Sequence, residues 1–161
     1  FTTLSPHLGA AALPGERRLI IADIPGLIEG AAGGAGLGHD FLRHVERTRV
    51  LVHVLDVQPL DGSDPADNYE ALRRELFEYS PILAEKPEVI ALNKIDLLAE
   101  DEREGAARRV VNRLRLNADD PVMLTSGATG LGVAELLEVC WRAAGGEGNE
   151  RGGWSASRSA T

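Results

Sequence analysis

An α/β fold built on a mostly parallel sheet is predicted by three observations in this 161-residue chain. Short apolar runs rich in branched residues alternate with longer stretches of helical periodicity. Each run ends in a polar residue followed by turn-forming residues, as strands do at the ligand-binding edge of such sheets. The length suits one domain, and 43% hydrophobic content is ordinary for a globular protein.

Leu8–Leu13 and Arg17–Ala22 flank the turn formers Pro14, Gly15 and Glu16, and are expected to pair as a hairpin. Leu19–Ala22 reads as a buried strand that delivers Asp23 into the turn of Pro25 and Gly26. The glycines and alanines between Gly26 and Gly38 form a loop. Asp40 then caps a helix with Phe41, Leu42 and Val45 on its apolar stripe, beside Arg43, Arg47 and Arg49.

Val50–Leu55 is a near-continuous apolar run ending in Asp56, the pattern of a strand buried on both faces. Asp64 with Pro65 starts a helix carrying Tyr69, Leu72, Leu76 and Tyr79, which Ser80 and Pro81 stop. Val89–Leu92 is the next strand, and a helix with Ala107, Val110, Val111 and Leu114 on one face follows it. Val122–Leu124 is the last strand. Val133, Leu136, Leu137 and Cys140 form the inward stripe of the last helix, and the glycine- and serine-rich residues 145–161 are expected to be disordered.

Several chemistries fall away. A net charge of −8 and a pI near 5.0 argue against broad nucleic-acid affinity. No apolar run approaches the ~20 residues of a spanning helix, so no membrane partner is expected. Cys140, the single cysteine, allows no internal disulfide and reads as a small core residue. His7, His39, His44 and His53 lack metal-ligand spacing, and His53 reads as a core histidine. Arg43, Arg47, Arg49, Arg73 and Arg74 read as solvated faces, and Asp56, Asp61, Asp64 and Asp67 as a polar loop.

The strand ends carry the chemistry. Asp23 with Gly26 forms D-x-x-G: the carboxylate can hold a hydrated magnesium ion, and the glycine N–H can approach a terminal phosphate. After the strand at 89–92, Asn93, Lys94, Ile95 and Asp96 form N-K-x-D. A carboxylate there can accept from N1–H and the exocyclic amine of guanine, a donor pair that adenine lacks. Asn93 can brace the loop, and the stem of Lys94 can lie over the ring. Ser126, with the N–H of Gly127 or Ala128, can contact the base O6 and orient Asp96.

With these motifs in place, the chain resembles the Obg family of GTPases over residues 1–144, through FTTLSPHLG, DIPGLIEGAAGGAGLGHDFLRHVERTRVLVHVLD and ALNKIDLL. The resemblance implies a Ras-like P-loop GTPase three-layer fold and a GTP/GDP switch acting in large ribosomal subunit assembly. Its implied partners are that subunit or its rRNA, and its implied setting is a monomer in the bacterial cytoplasm, with an organelle left open. It makes the loop of Phe1, Thr2, Thr3, Leu4 and Ser5 the first switch, with the Thr3 hydroxyl on Mg2+. Asp23 would reach that ion through water, Ile24, Pro25 and Gly26 would meet the γ-phosphate, and residues 27–38 would be the second switch. Asn93, Lys94, Ile95 and Asp96 would select guanine, backed by Ser126, Gly127 and Ala128.

Two departures qualify the resemblance. Leu27 stands where Ras-like enzymes carry a water-orienting glutamine, so slow hydrolysis is expected, with no catalytic base to name. G-x-x-x-x-G-K-[ST] is absent from these residues and is expected upstream of Phe1, so that the fragment lacks the first, central strand, the phosphate loop and the first helix. Losing a central strand costs on the order of 10 kcal/mol, comparable with a domain's whole stability. Residues 1–161 alone are accordingly expected to fold poorly and to be inactive. The alternative reading is a nucleotide-free interaction module that keeps only the switch-region surface.

Overall fold

The computed structural model describes residues 8–23, 46–116 and 121–146. Strands β1 (Leu8–Leu13) and β2 (Arg17–Ala22) form the expected antiparallel hairpin, with Leu8 opposite Ala22 and Leu13 opposite Arg17. Gly15 and Glu16 both adopt positive φ, 73° and 57°, which turns the chain within three residues.

The second sheet contains β3 (Leu51–Asp56), β4 (Glu88–Asn93) and β5 (Val122–Leu124), all parallel, in the order β3-β4-β5. Helix α1 (Pro65–Tyr79) and the single turn α2 (Pro81–Ala84) connect β3 to β4, and α3 (Glu100–Leu114) connects β4 to β5. Helix α4 (Val133–Ala143) ends the described fold. Asp64 caps α1 by accepting from the N–H of Ala66 at 2.7 Å, with Pro65 in the first turn.

Among the described residues the ladder partner of β2 is β1, and no hydrogen bonds join it to β3. Arg17 ties the hairpin to α4, donating to both carboxylate oxygens of Glu138 at 2.9 and 2.7 Å and lying over the ring of Trp141. One expectation changes here: strand β3 is not buried on both faces. Leu51, His53 and Leu55 point inward while Val52 and Val54 are exposed, so its two faces alternate as in a half-covered strand.

The core lies where β4 runs through the middle of the sheet, with Val89, Ile90, Ala91 and Leu92 all buried. Leu55, Leu98, Ala106 and Val110 close over Ile90 and Leu92, so α3 packs through Ala106 as well as Val110. Cys140 is buried on α4, and burial pushes its thiol pKa up. No helix among the described residues is long and apolar enough to cross a membrane.

At the amino-terminal end of β4 a polar cluster crosses the core. Glu88 accepts from the Tyr69 hydroxyl at 2.7 Å and pairs with Arg73; His53 Nε2 stands 3.1 Å from its Oε2. Arg73 also donates to the Ala84 carbonyl, so it is a tertiary contact and not a solvated face as its sequence context suggests. Burial raises the Glu88 carboxyl, but His53, Tyr69 and Arg73 outweigh it and hold the group below the ordinary range. A depressed carboxylate stabilises the fold above its unfolded pKa of about 4.3 and loses that contribution as pH falls through the folded value. Glu88→Gln should therefore cost about 2 kcal/mol at pH 7 by stranding the Arg73 charge, and the melting temperature of the variant should fall less steeply below pH 4. Thermal melts of both proteins across pH 3–7 check this.

Candidate functional site

Because β3, β4 and β5 are parallel, their carboxyl ends, Asp56, Asn93 and Leu124, lie along one edge of the sheet. The loops that leave this edge are laced to one another. Thr125 N–H donates to the Leu92 carbonyl at 2.9 Å and Ile95 N–H to the Thr125 carbonyl at 3.2 Å, carrying the β4–β5 ladder beyond the strands. Asn93 is held from both sides: its carbonyl accepts from the Val57 N–H at 3.0 Å, and its Oδ1 accepts from the Gly127 N–H at 3.0 Å. The bracing expected of Asn93 is thus present in the geometry.

Lys94 then takes the left-handed conformation, φ 63°, which costs a non-glycine residue about 1–2 kcal/mol. That reversal starts the short 3₁₀ turn Ile95–Leu97, buries Ile95 and leaves Asp96 exposed. Arg103 fixes the turn by donating to the Ile95 carbonyl at 3.0 Å. The Asp96 carboxylate has no hydrogen-bond or ion-pair partner among the described residues. An exposed acceptor with both oxygens open is what a ligand presenting two N–H donors requires.

The loop after β5 corrects one expectation. Ser126 is fully buried, its Oγ accepting from the Thr129 N–H at 3.1 Å and its carbonyl from the Gly130 N–H at 2.8 Å. Its hydroxyl closes its own turn, and among the described residues it makes no hydrogen bond to Asp96. Gly127 and Ala128 are both exposed, and the Gly127 N–H is taken by Asn93.

Asp23 is exposed one residue beyond β2, at the end of the hairpin. The remaining expectations on the phosphate side, Phe1, Thr2, Thr3, Leu4, Ser5, Ile24, Pro25, Gly26 and residues 27–38, lie outside the described residues, as does the helix expected from Asp40 to Val45. Among the described residues there is no group of three or more His, Cys, Asp or Glu able to hold a metal ion. A wide cleft lined by Thr48, Arg49, Lys86 and Pro87 lies at the opposite, amino-terminal ends of β3 and β4, away from this edge.

Sequence reasoning missed Asp56. Assigned to a polar loop, it instead accepts from the Lys94 ammonium at 2.5 Å through Oδ2 and from the Gln58 N–H at 3.0 Å through Oδ1. The available signal was its place at the carboxyl end of an apolar strand, where Asn93 also stands and just beyond which Asp23 lies.

A parallel sheet whose carboxyl edge carries these loops is the P-loop GTPase fold. Solved structures of that fold superpose on the chain. Era, in a complex with MgGDPNP and nucleotides 1506–1542 of 16S ribosomal RNA, matches at a TM-score of 0.62 and 21% identity, over 88% of this chain and 45% of that one. An Era variant of Aquifex aeolicus bound to GDP·AlF4− gives 0.58 and 18%, over 86% and 44%. Nucleolar GTP-binding protein 1 of Plasmodium falciparum gives 0.54 and 17%, over 87% and 70%. The chain spans under half the length of both Era proteins. Residues 1–94, more than half of the chain, match the model of the 50S ribosome-binding GTPase family, and the chain belongs to that family.

Proposed function

We propose that the chain carries the switch and base-recognition part of an Obg-type G domain, a GTP/GDP-dependent switch that hydrolyses GTP slowly and acts in assembly of the large ribosomal subunit. The observation that carries the nucleotide half of this reading is the exposed Asp96 carboxylate, without a partner among the described residues, on a loop braced by Asn93 and Gly127. Family membership supports the GTP half. The Obg assignment rests on the long DIPGLIEGA segment with its GLGHDFLRHVERT continuation.

In this reading residues 1–144 are G domain and 145–161 a tail. Asn93, Lys94, Ile95 and Asp96 hold the base, and Ala128 faces it from the neighbouring loop while Ser126 and Gly127 shape that loop. Asp23 is a hard oxygen donor, exposed at a strand end, which suits contact with a hydrated Mg2+ through water, with the Thr3 hydroxyl as the direct ligand. The ion would neutralise charge on the phosphates; Phe1, Thr2, Leu4 and Ser5 would flank the nucleotide, and Ile24, Pro25 and Gly26 would face the γ-phosphate. Leu27 offers no atom to align a water, so turnover depends on electrostatics or on a group from a partner.

Competition binding in the full protein tests the reading. GDP should displace a fluescent guanine nucleotide at concentrations at which ADP has no effect, and equal competition by ADP would overturn guanine selection. Sedimentation with purified subunits tests the ribosomal half: GTP-dependent association with the 50S subunit supports the Obg reading, and association with the 30S subunit alone rejects it.

A further inference from the structure

We propose that Asp56 is a positioning residue for base recognition, acting by holding Lys94 across the mouth of the site. This rests on the guanine-nucleotide reading above and adds to it a residue from a third strand. Asp56 is the last residue of β3 and the register partner of Asn93, so it sits directly beside the start of the base-reading loop. Its two oxygens have separate duties. Oδ1 accepts from the Gln58 N–H at 3.0 Å, which fixes the carboxylate's rotation, and this leaves Oδ2 aimed at the Lys94 ammonium, 2.5 Å away.

The pairing matters because of what Lys94 is. Its side chain is half exposed, with 49% of its surface open, and an unheld lysine in that setting samples many rotamers. Its left-handed backbone turns the chain out of the strand at this residue, and among the described residues its ammonium is bonded to Asp56. Tethering the ammonium at the end of β3 orders the four-carbon stem before a ligand arrives, and the stem is the apolar part able to cover a planar ring. The entropy of ordering that chain is then lost in folding and not in binding, which is how pre-organisation slows ligand release. Asp56 would not touch the base; it would act through Lys94.

The test is nucleotide release from the full protein, followed with a fluorescent GDP. Asp56→Asn keeps an acceptor for Gln58 but removes the charge that holds Lys94, and should speed release about tenfold. Lys94→Ala should speed it at least as much, and the double variant should release no faster than Lys94→Ala alone. Asp56→Glu and Asp56→Gln form a second pair, equal in size and different in charge, with slow release retained only by the glutamate. Unchanged release in Asp56→Asn, an Asp56→Asn effect that persists undiminished in the Lys94→Ala background, or identical behaviour of the Glu and Gln variants each overturns the proposal. If the unsubstituted protein binds no guanine nucleotide at all, the underlying reading fails first and this proposal falls with it.

Discussion

Replacing Asp96 by asparagine is expected to lower the affinity of the full protein for GDP by about two to four orders of magnitude and to create affinity for XDP. The proposed contact is a pair of hydrogen bonds from guanine N1–H and its exocyclic amine into one carboxylate. Hydrogen bonds to a charged partner contribute roughly 1.5–3 kcal/mol each, so losing both is worth about 3–6 kcal/mol. At 1.4 kcal/mol per factor of ten this gives the stated range. Asparagine presents one acceptor and one donor in place of two acceptors, which clashes with the amine of guanine but matches xanthine, where a carbonyl stands at that position. The fold should be indifferent to the change, because Asp96 is exposed and bonds to nothing among the described residues. Isothermal titration of wild type and variant with GDP and XDP, alongside a melt, separates the outcomes. Undiminished GDP affinity at an unchanged melting temperature would remove Asp96 from the site.

How much of this was legible beforehand follows from the range over which each feature is determined. The hairpin, the Asp64–Pro65 helix start and the Val122–Leu124 strand are set by neighbouring residues, and the structure has them where the local chemistry puts them. The juxtaposition of Asn93 with the Ser126–Ala128 loop was legible too, because parallel strands place their carboxyl ends on one edge whatever their sequence. Side-chain partners across the sheet were not. Asp56 reaches Lys94, 38 residues away, and Arg73 reaches Glu88 across α2, and no local pattern distinguishes either from a solvated charge. Ser126 failed for a related reason: its residue type fits both a ligand contact and an inward-facing turn, and only the closed loop to Leu131 decides for the turn. The half-covered β3 escaped because Val52 and Val54 look identical to buried strand residues. Their exposure depends on what packs against the sheet, which an apolar run does not encode.

The second large effect concerns Gly132→Ala, which should destabilise the protein by about 3 kcal/mol or more and speed nucleotide release with it. Gly132 sits at φ 71°, and a Cβ built there would lie 1.9 Å from the Leu124 carbonyl oxygen and 3.0 Å from its carbonyl carbon. Both partners are backbone, so no rotamer change relieves the clash; either β5 or α4 must move. Left-handed strain contributes roughly 1–2 kcal/mol and forced overpacking about 1–3 kcal/mol more. The displaced segment is not peripheral. Leu131 accepts from the Ser126 N–H at 2.9 Å, Gly132 accepts from Leu136 N–H at 3.0 Å, and Glu138 on the same helix anchors the hairpin through Arg17. Opening that contact loosens the loop whose Gly127 N–H braces Asn93. Gly130→Ala is the matched control: its φ is 81°, but no atom lies within 4 Å of the added Cβ, so only the backbone strain of about 1 kcal/mol applies. At roughly 2–4 °C per kcal/mol for a protein of this size, the Gly132 variant should melt some 6–12 °C lower and the Gly130 variant only a few degrees lower. Equal melting temperatures for the two alanine variants would mean that the Leu124 contact yields without cost. An intact release rate in the Gly132 variant, despite its lowered melting temperature, would uncouple the β5–α4 junction from the base-reading loop.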